Sequence, residues 1–112
     1  MAKPKTSLSP AEFQVLLALV DGPKHGHRIK LDVRDGTDGG IVVGPGTLYG
    51  AIKRLLERDW IEEVPAPRGE ASDDERRRYY RATGAGLRVA RNEAHRLQAL
   101  VGMAQAKRLV QR

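Results

Sequence analysis

Between Pro45 and Glu57 the apolar side chains Leu48, Ala51, Ile52, Leu55 and Leu56 return every three or four residues, the spacing that gathers them on one side of a helix. Pro45 suits the first helical position, because its fixed φ is already helical and its missing N–H would find no partner there. At about 100° per residue the opposite side carries Gly46, Gly50, Lys53, Arg54 and Glu57, with Thr47 and Tyr49 on its flanks. An earlier helix is predicted from its start signals. Ser9 is placed as N-cap, Pro10 as first helical residue and Glu12 as the reciprocal partner of a capping box, with Leu8 and Phe13 as a hydrophobic staple. Phe13, Leu16, Leu17 and Val20 define its expected apolar side, and Asp21, Gly22 and Pro23 stop it. A shorter second helix is expected from about Gly26 to Asp35, where Ile29 and Val33 lie one turn apart before the loop GTDGG.

After the third helix the period changes from helical to alternating. Trp60 and Ile61 are expected to cover the core as IEEV (61–64) begins a strand, and RRYYRA (77–82) returns alongside it with one tyrosine of its pair facing inward. Ile41 to Val43, a short apolar run, is expected to add a third strand. In residues 84–112 a different pattern takes over. Leu87, Ala90, Ala94, Leu97, Val101 and Ala104 follow a 3-4-3-4-3 spacing along one seam of a helix. A helix of that length exceeds what so small a domain can bury alone. Its small residues permit close approach of a second helix, while Leu100, Met103 and Leu109 widen the stripe. The simplest partner is another copy of the chain, which makes those six seam residues the expected dimer interface.

A net charge of +6 and a pI near 10.1 favour a polyanionic partner. The excess is unevenly placed: residues 84–112 hold six cations and one anion, residues 44–60 only three and two. Basicity alone therefore says little about the third helix, and its outer face has to be judged by its own groups. Gly46 and Gly50 allow close approach, Thr47 and Tyr49 can bond to phosphates or base edges, and Lys53 and Arg54 follow one turn later. The same face also fits an ordinary solvated helix. Between the two strands, PAPRGEASDDER (65–76) reads as a solvated hairpin tip, a usual place for an arginine to reach backbone or minor groove. Arg68, Arg76 and Arg77 are the candidates there, with Asp73, Asp74 and Glu75 opposing deep insertion.

Three segments resemble the PadR family of winged helix-turn-helix transcriptional regulators: SPAEFQVLLALVDGPKHGHRI (9–29), GPGTLYGAIKRLLERDWIE (44–62) and RRRYYRATGAG (76–86). The resemblance implies a mainly α fold with a small β-wing, in which residues 1–83 form a winged helix-turn-helix DNA-binding domain and 84–112 a C-terminal dimerisation helix. It further implies a sequence-specific regulator of double-stranded DNA, a repressor that occupies a palindromic operator as a homodimer. Thr47, Tyr49, Gly50, Lys53, Arg54, Arg68, Arg76 and Arg77 are then the expected DNA-binding residues. A two-fold dimer presents two reading helices about one DNA turn apart. The chain departs from the family pattern at Gly44, where a Ser cap is common, at Gly50, where Pro often follows the tyrosine, and at His27, usually Tyr.

Other chemistries find little support. The absence of cysteine excludes disulfides and thiolate metal sites and fits a reducing cytoplasm, the expected location. MAKPKTS reads as a loose basic arm with no apolar run for a signal peptide or membrane span. His25 and His27 form an HxH pair without a third ligand in pattern, and His25 is read as part of the start of the second helix, so no metal is expected. The glycine-rich stretches lack nucleotide-loop spacing, and no catalytic residue or cofactor is expected. A small-molecule effector is left open, because some PadR relatives sense aromatic compounds or drugs while the last helix here has no aromatic residue. Two alternatives stand beside DNA regulation: a winged-helix protein-interaction module, and a helix lying on anionic lipid, which the lack of bulky aromatics disfavours.

Overall fold

A computed structural model describes residues 8–36, 44–66 and 78–111. The elements run α1 (Pro10–Leu19), β1 (Lys24–His25), α2 (Gly26–Gly36), α3 (Pro45–Glu57), β2 (Ile61–Val64), β3 (Tyr79–Ala82) and α4 (Gly84–Ala106). The chain is mainly helical with one small antiparallel sheet in the order β1-β3-β2, which is the winged-helix arrangement the sequence implied.

The start of α1 follows its sequence signals. The Ser9 N–H donates to the Glu12 carboxylate at 2.9 Å and the Glu12 N–H to the Ser9 hydroxyl at 3.1 Å, a complete capping box. Leu8 is buried and Phe13 packs against the core beside it. The buried side of the helix, however, is Val15, Leu16, Ala18 and Leu19, whereas Leu17 and Val20, expected inside, are 57% and 55% exposed. The apolar residues of α1 nearly encircle it, so spacing alone does not choose the face. Glu12, a charged residue buried at 3%, holds the position that would otherwise have marked the inner stripe.

Ile29 and Val33 of α2 and Leu48, Ala51, Ile52 and Leu55 of α3 close on this side of α1. Each large aliphatic side chain withdrawn from water there contributes about 1.5–3 kcal/mol. Trp60, Ile61 and Tyr80 cover one end of the core, and Val89 and Ala90 of α4 join it.

The third strand among the described residues is Lys24–His25, and the expected strand at Ile41 to Val43 lies outside them. Lys24 pairs with Tyr80 and His25 with Tyr79, while on the other edge Val64 faces Tyr79 and Ile61 faces Ala82. β3 is thus the central strand. As expected, one tyrosine of the pair, Tyr80, packs into the main core; Tyr79, on the opposite face, is buried as well, edge-on against the His25 ring at 5.3 Å.

The junction between α3 and α4 is closely fitted. Asp59 takes a left-handed φ of 59°, and the N–H groups of Asp59 and Trp60 reach back to the carbonyls of Leu56 and Leu55, a Schellman ending. Thr83 then donates its N–H to the Trp60 carbonyl at 3.0 Å and its hydroxyl to Asp59 O at 2.7 Å, and caps α4 by accepting from the Gly86 N–H. Gly86 presses so closely on Trp60 that a Cβ there would lie 1.9 Å from the carbonyl oxygen. Beyond Ala90 no residue of α4 is buried, and the helix of about 35 Å extends one axis of the molecule to 51 Å.

Candidate nucleic-acid interface

α3 owes its placement to two fixed surfaces. Its apolar stripe is held in the core, and its charged edge is tied to α1 by Glu12: Arg54 Nε donates to Glu12 Oε2 at 2.5 Å, and Arg58 Nη1 lies 3.6 Å from Oε1. Burial pushes the Glu12 pKa up. The Arg54 bond, the Ser9 N–H and the two guanidinium charges outweigh burial and hold it below its ordinary value of 4.5. Arg58 also stands over the Trp60 ring at 5.1 Å.

On the far side of this helix Gly46, Thr47, Tyr49 and Lys53 are exposed and Gly50 is half-buried. These residues form one continuous surface. Tyr49, 56% exposed, leans over Gly26 at the start of α2, where a Cβ would meet its ring at 3.2 Å. The glycine therefore leaves room for the phenol to span both helices of the helix-turn-helix. Arg54 stands at the edge of the face with Nε engaged by Glu12, an attachment the sequence did not show because the two residues are 42 positions apart.

Further cations lie on β1 and α2. The Arg28 N–H donates to His25 Nδ1 at 3.1 Å, so His25 caps the helix, and its ring stacks on His27 at 6.3 Å. Lys24 bonds both Asp32, at 2.5 Å, and Asp21, at 3.2 Å, and Arg28 also reaches Asp32. Burial raises the Asp32 pKa, but Lys24 and Arg28 outweigh it and lower it overall. Among the described residues no cluster of three His, Cys, Asp or Glu could hold a metal ion, and no helix is long and apolar enough to cross a membrane.

The stem of the wing carries neutralised charge. Arg81 bonds to Glu62, its direct cross-strand neighbour, and Arg78 to Glu63 at 3.0 Å, one diagonal step away. Arg68, Arg76 and Arg77 lie outside the described residues. Of the seam residues on α4, Ala94 and Val101 are exposed, Leu87, Leu97 and Ala104 are half-buried, and Ala90 is covered by the chain's own core.

The same layout of helices and wing occurs in known proteins. Solved relatives include a PadR family transcription regulator from Clostridium difficile (TM-score 0.74, 20% identity, covering 88% of this chain and 97% of that one). A transcriptional regulator from Clostridium thermocellum matches with a TM-score of 0.71 at 24% identity, over 85% of this chain and 89% of that one. An uncharacterised 37.1 kDa protein in a transposon of Streptomyces fradiae is 34% identical over 92 residues, 82% of this chain. The chain spans only 24% of that protein's length, and 63% of an uncharacterised protein X from Lysinibacillus sphaericus, 29% identical over 64% of this chain. The profile of the transcriptional regulator PadR-like family matches residues 15–92, which takes in the second half of α1, the α2–α3 pair, the wing and the first turns of α4. With that span and this geometry, the chain belongs to the transcriptional regulator PadR-like family.

Proposed function

We propose that the protein is a sequence-specific repressor that occupies a palindromic operator as a homodimer in the cytoplasm. The observation that carries this reading is the outer face of α3, where Thr47, Tyr49 and Lys53 stand exposed together while the opposite stripe is locked in the core. Tyr49 and Thr47 would bond to base edges or phosphates, Gly46 and Gly50 would admit the backbone, and Lys53 would contact phosphate. Arg54 serves first as the tie to α1. Arg68, Arg76 and Arg77 would reach the adjacent backbone from the wing. The distal half of α4, with Ala94, Leu97, Val101 and Ala104 on one seam, would meet a second copy and place two reading helices on successive half-sites.

One observation favours a second reading, a protein-interaction module. Arg78 and Arg81 on the wing stem are already paired with Glu63 and Glu62, so this part of the wing offers phosphate little net charge. Capture of genomic fragments on the purified protein, followed by gel-shift titration, separates the two. A repressor should enrich a recurring inverted repeat and hold it well above random competitor. Equal binding to every duplex at low salt would favour the interaction module.

A further inference from the structure

Arg54 is held at one end and open at the other. Its Nε donates to Glu12 Oε2, yet 46% of the side chain stays exposed. The carboxylate that holds it is buried, and its other oxygen accepts from the Ser9 N–H at 2.9 Å with Arg58 Nη1 at 3.6 Å. Both oxygens are thus committed. The carboxylate cannot turn without giving up the cap of α1.

The direction of the guanidinium follows from the helix that carries it. Long helical side chains lean toward the N-terminus of their own helix, so the arm of Arg54 lies back over the preceding turn, where residue 50 sits. That residue is glycine, and a Cβ there would lie 3.4 Å from Arg54 Nη1. A larger side chain would stand in the way of the arm. Gly50 is on the outer face of α3, opposite the core stripe, so the terminal nitrogens of Arg54 reach that face at a point where no side chain covers the backbone.

Such a group suits one kind of acceptor. A phosphate contact draws mainly on charge and carries no sequence information, and here Glu12 offsets part of the charge. What remains is direction: a planar set of donors already held in place, with less rotamer freedom left to lose on binding. In the major groove guanine presents O6 and N7 as a pair of acceptors that matches such a fork.

We propose that Glu12 is a positioning residue for base recognition: from α1, without touching DNA, it fixes Arg54 so that the terminal nitrogens pass over Gly50 to O6 and N7 of one guanine in each half-site. This deepens the operator reading and rests on it. Glycine at position 50 then serves the passage of the Arg54 arm as well as the approach of the backbone.

A pool of duplexes randomised over the span of two half-sites is selected on the parent, Arg54→Lys, Glu12→Gln and Gly50→Leu, each shown by melting to be folded at the selection temperature. The parent should enrich an inverted repeat with a guanine at a fixed position of each half-site. All three variants should keep the repeat but lose that guanine, the preference there falling about tenfold or more while the other positions stay as in the parent. Arg54→Lys keeps the charge, so a phosphate contact would survive it; Gly50→Leu leaves both members of the ion pair in place. Where Glu12→Gln melts below the selection temperature, Glu12→Asp, which keeps a capping carboxylate but is one methylene shorter, takes its place. Parent preferences in Arg54→Lys would make Arg54 a backbone contact and overturn the assignment. An unaltered guanine in the Glu12 variant, or an even loss at every position, would leave Glu12 a structural role alone and overturn it as well, with the operator reading intact. A parent that enriches no motif overturns both.

Discussion

Glu12 is read from sequence as a capping residue, and it is one, but its burial serves a second purpose that only the fold reveals. Its carboxylate accepts from Ser9 and from Arg54, joining the start of α1 to the outer edge of α3. Because its folded pKa lies below its ordinary value, its contribution is fully present above that value and is lost as pH falls through the folded one. Glu12→Gln should therefore lose about 2 kcal/mol at pH 7, the usual worth of a hydrogen bond to a charged group, and the gap to the parent should narrow at pH 3. Urea melts at the two pH values check this; an equal gap at both would remove the charge from the explanation. Gly86→Ala tests packing instead. A methyl cannot share space with the Trp60 carbonyl, so the junction must shift, at a cost of about 3 kcal/mol seen as a lower melting temperature. Lys53 offers the contrast. It is exposed and lies off the apolar stripe, so Lys53→Ala should leave the melting temperature nearly unchanged while weakening operator binding by about 1–3 kcal/mol if it meets a base, or lowering the salt slope by about one if it meets phosphate. Unaltered affinity and slope would remove it from the interface.

At the scale of elements, legibility followed how locally each decision is made. The α3 stripe, the capping box of α1 and the start of β2 at Ile61 depend on neighbours within a turn or two, and the sequence showed them. The face of α1 depends on what packs against it. With Phe13, Val15, Leu16, Leu17, Leu19 and Val20 all apolar, the choice of Val15 and Leu19 over Leu17 and Val20 is made by α2 and α3. β1 was missed because Lys24 and His25 carry no strand pattern. They pair only because the turn after α1 brings them to the open edge of β3. Of the candidate interface, the α3 face could be read directly, whereas the Arg54 attachment and the Tyr49 contact with Gly26 required the fold. Helix endings hold an unspent margin. Asp59 and Arg108 occupy left-handed positions that glycine takes without steric cost, and arginine, unlike aspartate, has no short polar side chain to ease it. Arg108→Gly should raise stability by about 0.5–1 kcal/mol, and Asp59→Gly by less. Thermal melts in which Arg108→Gly is the less stable protein would show that its side chain makes a contact worth more than the strain.

The whole molecule is elongated because one helix outruns its core, and the charge follows the same division: residues 84–112 hold six cations against one anion, while residues 44–60 are nearly balanced. On the dimer reading, specific affinity comes from two half-sites held at fixed spacing rather than from a strongly basic reading helix. Val101 tests this without disturbing the monomer, since it is half exposed on the distal seam and touches none of the buried core. In Val101→Glu a carboxylate would have to be buried against the partner, so the dimer should dissociate while the far-UV signal and melting of the monomer stay close to those expected for a folded chain. A monomer retains one α3 face and forfeits the second half-site. Its affinity for an inverted repeat should then approach its affinity for random duplex. Counterion release supplies an independent readout, because each neutralised phosphate contributes to the fall of log K with log salt. Halving the number of phosphate contacts should reduce that slope to about half. Sedimentation equilibrium and gel-shift titrations at several salt concentrations measure both. A monomeric Val101→Glu protein that keeps the parent's slope and specific affinity would show that one copy reads the operator alone, and the palindromic mode of binding would have to be abandoned.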